Sequence, residues 1–203
     1  MATDPSLSLF WTYVTGGRVN EEIIQCSAIG DDYADASESS RCVKTLTFEG
    51  YADTTHECAK WGPSFSFPVL VEREEYVRCW EIICSKPYKF ITLRGTEGIG
   101  KSVFIYWLIY KIVKVARDRN SGIMPTFLLI NAGGQRKVYE FFSIVNGSAV
   151  VQRLSSRVSS DYVLSDIEHD IHAVAGSWNL HVGFEREPKM FTSKVEDAEE
   201  VNY

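Results

Sequence analysis

Apolar residues along this chain change their spacing from one stretch to the next, and each change predicts an element. Leu7 to Val14 is apolar and aromatic, Asp31 to Arg41 is a polar stretch rich in Ser and Asp, and Cys42 to Phe48 alternates as a half-buried strand does. Trp61-Gly62-Pro63 breaks the pattern. From Glu72 to Ser85, Tyr76, Trp80, Ile83 and Cys84 fall at helical spacing behind an acidic start, which predicts a helix with Trp80 on its core face. Phe90 to Arg94 is a compact β-branched and aromatic run, entered after Lys86-Pro87 and left at Gly95, so it reads as a buried strand.

From Lys101 onward Val103, Phe104, Trp107, Leu108, Ile112 and Val115 recur at helical spacing. Lys111, Lys114, Arg117 and Arg119 gather towards the end of that helix, where cations complement its dipole, and Ser121-Gly122 stops it. Thr126 to Asn131 is an apolar run of strand length that ends at Ala132-Gly133-Gly134, a turn. Val138 to Val145 and Ser148 to Leu154 flank Asn146-Gly147, a strong hairpin signal. Tyr162 to Asp166 offers a short strand that ends in an acid, and Lys189 to Ser193 a further short strand ending in hydroxyls before an acidic tail from Glu196 to Glu200.

A strand, a crossover helix and a second strand make a right-handed βαβ unit with a parallel sheet. The expected fold is therefore α/β: a three-layer nucleotide-binding unit over residues 66–203 with a mainly parallel sheet and an antiparallel hairpin insertion. Residues 1–65 form an N-terminal arm or small subdomain without identifiable chemistry of its own.

One segment names a ligand. Gly95-Thr96-Glu97-Gly98-Ile99-Gly100-Lys101-Ser102 is a full G-x-x-x-x-G-K-[ST] string. Such a string arises by chance in about one chain in a hundred of this size, but here it follows a strand and opens a helix. That order turns backbone N–H groups and the positive end of a helix dipole towards a triphosphate. Gly95, Gly98 and Gly100 let the backbone curl close to phosphate, Lys101 sets a point charge between the β- and γ-phosphates, and Ser102 ligates Mg²⁺. Thr96, Glu97, Ile99 and Val103 complete the contact segment. Glu97 is the odd member, because a carboxylate near the phosphates costs about 1 kcal/mol or more unless it turns to water.

Such a loop needs a carboxylate at the tip of a neighbouring strand for its metal. Asp166 fits that place, with Asp161 as the fallback, and Glu168 is the candidate for orienting an attacking water. A solvated surface acid is the competing account of Asp166. ATP is favoured over GTP because no N-K-x-D segment follows the loop.

Composition narrows the rest. At 203 residues, 45% hydrophobic and 24% charged, the chain has the make-up of a folded soluble domain. A net charge of −6 argues against a large nucleic-acid footprint. Five cysteines without a C-x-x-C pair point to reduced thiols, and His169 and His172 with their flanking acids read as a solvated segment rather than a metal cluster. The start of the chain has no signal-peptide pattern, and no stretch reaches the roughly 18 apolar residues that span a bilayer. The expectation is a soluble intracellular protein.

The helix Tyr76 to Ile83, the strand Phe90 to Leu93, the loop Gly95 to Ser102 and the helix segment Phe104 to Leu108 together resemble the P-loop ATPase domain of Crinkler and retrotransposon hot spot proteins. Tyr162 to Asp166 is similar to that family's second acidic strand, and Met190 to Ser193 to the strand that follows it. The resemblance covers residues 65–193 and is specific around 72–110. It implies an AAA-like or STAND-like ATPase with nucleotide contacts at Gly100, Lys101 and Ser102, metal binding at Asp166, host or self protein partners, and secretion with delivery to a host nucleus. The chain lacks the family's downstream effector domain and leader motif, so a truncated member is expected. Two rivals stand beside a Mg²⁺-dependent ATPase: a regulatory or effector module that binds nucleotide without catalysis, and a P-loop small-molecule kinase whose lid would draw on Arg136, Arg153 and Arg157.

Overall fold

A computed structural model describes residues 5–26, 41–49, 69–85, 89–95, 98, 100–119, 123–133, 136–145, 148–167, 176–184 and 198–202. The helix α1 (Pro5–Gly16) leads into a three-stranded antiparallel sheet of β1 (Val19–Cys26), β2 (Arg41–Phe48) and β3 (Val69–Glu72). The helix α2 (Glu74–Ser85) follows, then β4 (Phe90–Gly95), α3 (Lys101–Asp118), β5 (Phe127–Gly133), β6 (Arg136–Val145), β7 (Ser148–Leu154), β8 (Tyr162–Asp166), β9 (Trp178–Phe184) and β10 (Ala198–Asn202). These seven strands make a second sheet in the order β10-β4-β9-β8-β5-β6-β7.

The expectation of a mainly parallel sheet needs correction, because the large sheet is mixed and the small one is antiparallel. Strands β10, β4, β9, β8 and β5 run parallel to one another, whereas β6 and β7 are antiparallel to their neighbours. Two tight reversals cause the change. Gly133 pairs with Arg136 and Val145 with Ser148, so only two residues of sequence separate the paired strand ends, too few for the crossover that parallel neighbours need. The hairpin expected around Asn146-Gly147 is present in register. Strands β4 and β5, joined through α3, are parallel in one sheet, but β9 and β8 stand between them.

Helix α3 is buried on nearly every side, and Phe104 to Tyr110 forms an unbroken buried run. A helix that is apolar all round belongs inside a core. One flank meets the large sheet, where Ile91, Leu93, Leu129, Leu164, Leu180 and Val182 join its cluster, and other flanks meet α1 and α2. Leu46, Phe48 and Leu70 of the small sheet enter the same cluster, as do Phe10, Trp11 and Val14 of α1. Trp11 lies flat on Phe142 at 3.7 Å between centroids, tying α1 to the hairpin. Burying aromatic side chains of this size stabilises by about 1.5–3 kcal/mol each. Leu128, Ile130 and Val163 form a second cluster on the opposite face of the large sheet, as the period-2 alternation of β5 and β8 requires.

The cations of α3 are more than a solvated helix end. Lys111 Nζ lies 3.0 Å from Glu72 Oε2, and Lys114 and Lys44 both reach Glu21. Glu72 also accepts from Trp107 Nε1 at 3.0 Å and pairs with Lys44 at 3.6 Å. These pairs bind β1, β2 and β3 to the middle of α3. The acidic segment after Glu196 also departs from the expected tail, since Ala198–Asn202 pairs parallel with β4 as an edge strand.

Among the described residues no helix is long and apolar enough to cross a membrane.

Candidate functional site at the start of helix α3

All five parallel strands direct their C-terminal ends to one edge of the large sheet, the edge at which open α/β sheets bind ligands. Gly95 closes β4 there, Asp166 closes β8, and Asn131 of β5 stands in register with Asp166. Helix α3 begins at that edge. Its N-cap is Gly100, in the left-handed region at φ 92° and ψ 20°, with no side chain capping the helix and no acid in its first turn. The end therefore keeps the donor-rich, positive character that attracts anions. Gly98 is also left-handed at φ 81°, and a Cβ there would meet nothing within 4 Å.

Gly100 is required for a second reason. A Cβ at this position would stand 2.6 Å from Tyr76 Oη and 3.3 Å from a guanidinium nitrogen of Arg73. Tyr76 Oη donates to the Gly100 carbonyl at 2.8 Å, the same carbonyl that accepts the first helical bond from Phe104 N at 2.9 Å. Burial pushes the Tyr76 phenol up to about 12, so it stays protonated and keeps donating at neutral pH. The β3–α2 corner thus brings an arginine and a tyrosine against the loop.

Lys101 is buried at 7% exposure, and its Nζ donates to the Gly95 carbonyl at 2.8 Å, folding the ammonium back over its own loop. Ser102 Oγ donates to Asp166 Oδ1 at 3.1 Å, across a gap of 64 residues in sequence. Burial raises the Asp166 carboxyl above its ordinary value, against the opposing pull of the Ser102 hydrogen bond and the Lys101 charge. The site therefore holds a desolvated carboxylate beside a hydroxyl and a cation. Val103 follows half-buried in the first turn. Thr96, Glu97, Ile99 and Glu168 lie outside the described residues, as do His169, His172 and the segment 189–193.

No family model matches the chain, and no curated protein and no solved structure matches it.

Asp161, the fallback acid, is engaged elsewhere. Its Oδ2 accepts from the Thr126 N–H and hydroxyl, both at 2.7 Å, which staples the entry of β8 to the entry of β5 at the opposite edge of the sheet. Arg153 is committed to the buried Glu140 opposite it on β6, at 3.1 Å, so it is tied to the hairpin rather than to a lid. Arg73 and Tyr76 were missed as site residues. Their spacing shows only an amphipathic helix, and the contact with Gly100 comes from packing between segments 24 residues apart.

A hydroxyl and a single carboxylate suit Mg²⁺, which is bound through one or two carboxylates with water and substrate phosphate completing its shell. Among the described residues no three His, Cys, Asp or Glu side chains gather into an all-protein cage, and Mg²⁺ at a phosphate site needs none.

Proposed function

We propose that the chain binds a nucleoside triphosphate with Mg²⁺ at Gly95 to Ser102, and that ATP is the nucleotide. The observation that carries this reading is the 3.1 Å hydrogen bond between Ser102 Oγ and Asp166 Oδ1, which joins the last residue of the glycine-rich string to the acid expected as its partner. In this reading the uncapped α3 N-terminus and the left-handed glycines bind the phosphates through backbone N–H groups. Lys101 supplies a buried positive charge, Arg73 a second one from the β3–α2 corner, and Tyr76 fixes the path of the chain at Gly100. Ser102 and Asp166 hold the cation, which when bound neutralises charge on the β- and γ-phosphates. The fold this implies is the three-layer P-loop NTPase, supported by five parallel strands with apolar clusters on both faces. The biological setting we propose is an ATPase module of the Crinkler and retrotransposon hot spot type, on the strength of the resemblance over residues 72–110.

Calorimetric titration of a non-hydrolysable ATP analogue with and without Mg²⁺ tests the site. The wild type should bind more tightly with Mg²⁺, and Ser102→Ala and Asp166→Asn should each lose that gain. A gain that survives in both variants would remove the proposed metal role.

A further inference from the structure

Strand β1 is an edge of the small sheet: among the described residues it pairs with β2 alone, and Asn20 to Gln25 are exposed. Along the side away from β2, alternate backbone N–H and C=O groups face solvent, a template for a further strand. Edge strands are commonly blunted by charge or by Pro. Strand β10, at an edge of the large sheet, carries Glu199 and Glu200 in succession. Strand β1 has neither Lys nor Pro, and its centre is Ile23-Ile24, 74% and 46% exposed. Its first acid is no deterrent. Register and alternation set Glu21 on the side of Leu46 and Leu70, where Lys114, Lys44 and Tyr110 answer its charge within the chain. Glu22 is left as the acid on the open face.

We propose that β1 pairs antiparallel with β1 of a second copy across a two-fold axis at Ile23, joining the two three-stranded sheets into one of six strands. The sequence of the strand selects both the occupant and the axis. With the axis there, Ile23 meets Ile23 of the partner subunit, Glu22 meets Ile24 of the partner subunit and Glu21 meets Gln25 of the partner subunit, so no two carboxylates stand opposite. An axis at Glu21 or Glu22 would set like charges directly opposite, which is unfavourable. Pairing about Ile23 also keeps odd residues with odd, so the open faces, each with Ile24, Val43, Val69 and Val71, continue one another. Eight strand residues a side are far fewer than the roughly 20–30 of a standard interface, so the dimer is a weak one that forms at high local concentration.

The test is sedimentation of the full chain without nucleotide over about 1 μM to 1 mM, the range of weak association, for wild type, Ile23→Lys, Ile23→Glu and an equal mixture of these two variants. Thermal melting reports folding. Wild type should pass from monomer towards dimer within the range. Each variant alone should associate about tenfold more weakly, because the axis brings two like charges face to face where two isoleucines met. The mixture should associate about fivefold more tightly than either variant alone, since Lys then meets Glu. Hydrogen exchange of the wild type needs no variant and should show the β1 amides gaining protection at the upper end of the range. Wild type that stays monomeric throughout overturns the second copy as occupant, even if an unrelated strand proves to bind this edge. Dimers indifferent to Ile23, a mixture no tighter than its parts, or β1 amides without added protection overturn the pairing.

Discussion

The two ends of the polar surface on helix α3 are built from similar groups and treated in opposite ways. Along its middle and end, Lys111 and Lys114 meet Glu72 and Glu21, cation to carboxylate, with Lys44, Tyr110 and Trp107 filling the remaining acceptor positions. At its start, Lys101 folds onto a carbonyl and the carboxylate of Asp166 accepts from a serine hydroxyl. The pKa directions follow this division. Burial alone would raise Glu21, but hydrogen bonds from Lys114, Tyr110 and Lys44 outweigh it and hold the group at about 2. Burial wins at Asp166, whose carboxyl is raised. A network closed on itself holds a sheet in place, whereas the desolvated Asp166 carboxylate at the start of α3 has the raised pKa that marks a candidate functional group.

Breaking the closed network should cost stability and leave the open end alone. Glu72→Ala removes the acceptor shared by Lys111, Lys44 and Trp107, in a side chain only 10% exposed. We expect a loss of about 3 kcal/mol by chemical denaturation, with nucleotide affinity within about twofold of wild type. A comparable loss of affinity would show that the two ends are coupled through the helix.

Gly100→Ala works from the other side. It forces an L-residue to φ 92° and drives a methyl against Tyr76 Oη, which should cost about 1–3 kcal/mol and weaken nucleotide binding together. Full affinity in this variant would detach the left-handed turn from the site.

The smallest effect is the pH dependence of the closed end. The Glu21 carboxyl lies below its ordinary 4.5 in the folded state, so its contribution is complete above that value and is lost as pH falls towards about 2. Because Glu21 lies on an exposed strand where solvent screens its pairs, the contribution should stay below about 1 kcal/mol. Denaturation midpoints measured across that window should flatten in Glu21→Gln, and an identical slope would assign the acid sensitivity to other groups.

The same contrast explains what could be read from the residues alone. Strand β4, helix α3, strand β8 and the strands that flank Asn146-Gly147 are local patterns, and each lies within a residue or two of its expected bounds. Strand β9 escaped because Asn179 and His181 are buried polar residues that interrupt the continuous apolar run expected of a strand covered on both faces. Strand β10 escaped because its acidic composition reads as a tail, although charge is also how edge strands avoid unwanted pairing. The helix expected from Glu72 begins at Glu74, since Val69–Glu72 is recruited by β2 as a third strand. At the site, Asp166 was legible as an acid at a strand tip, but Arg73 and Tyr76 were not. Their places depend on which strands and corners meet, and a period of 2 or 3.6 carries no information about that.

The central claim is that the start of α3 is a nucleotide site organised by Lys101. Its most direct test is titration of a fluorescent ATP analogue with Mg²⁺ into the wild-type chain and Lys101→Ala, followed by an assay of phosphate release. The account predicts saturable binding by the wild type and a loss of about a hundredfold or more in the variant, as expected when a buried cation is removed from phosphate. Equal binding by both proteins, or binding by neither, would contradict it.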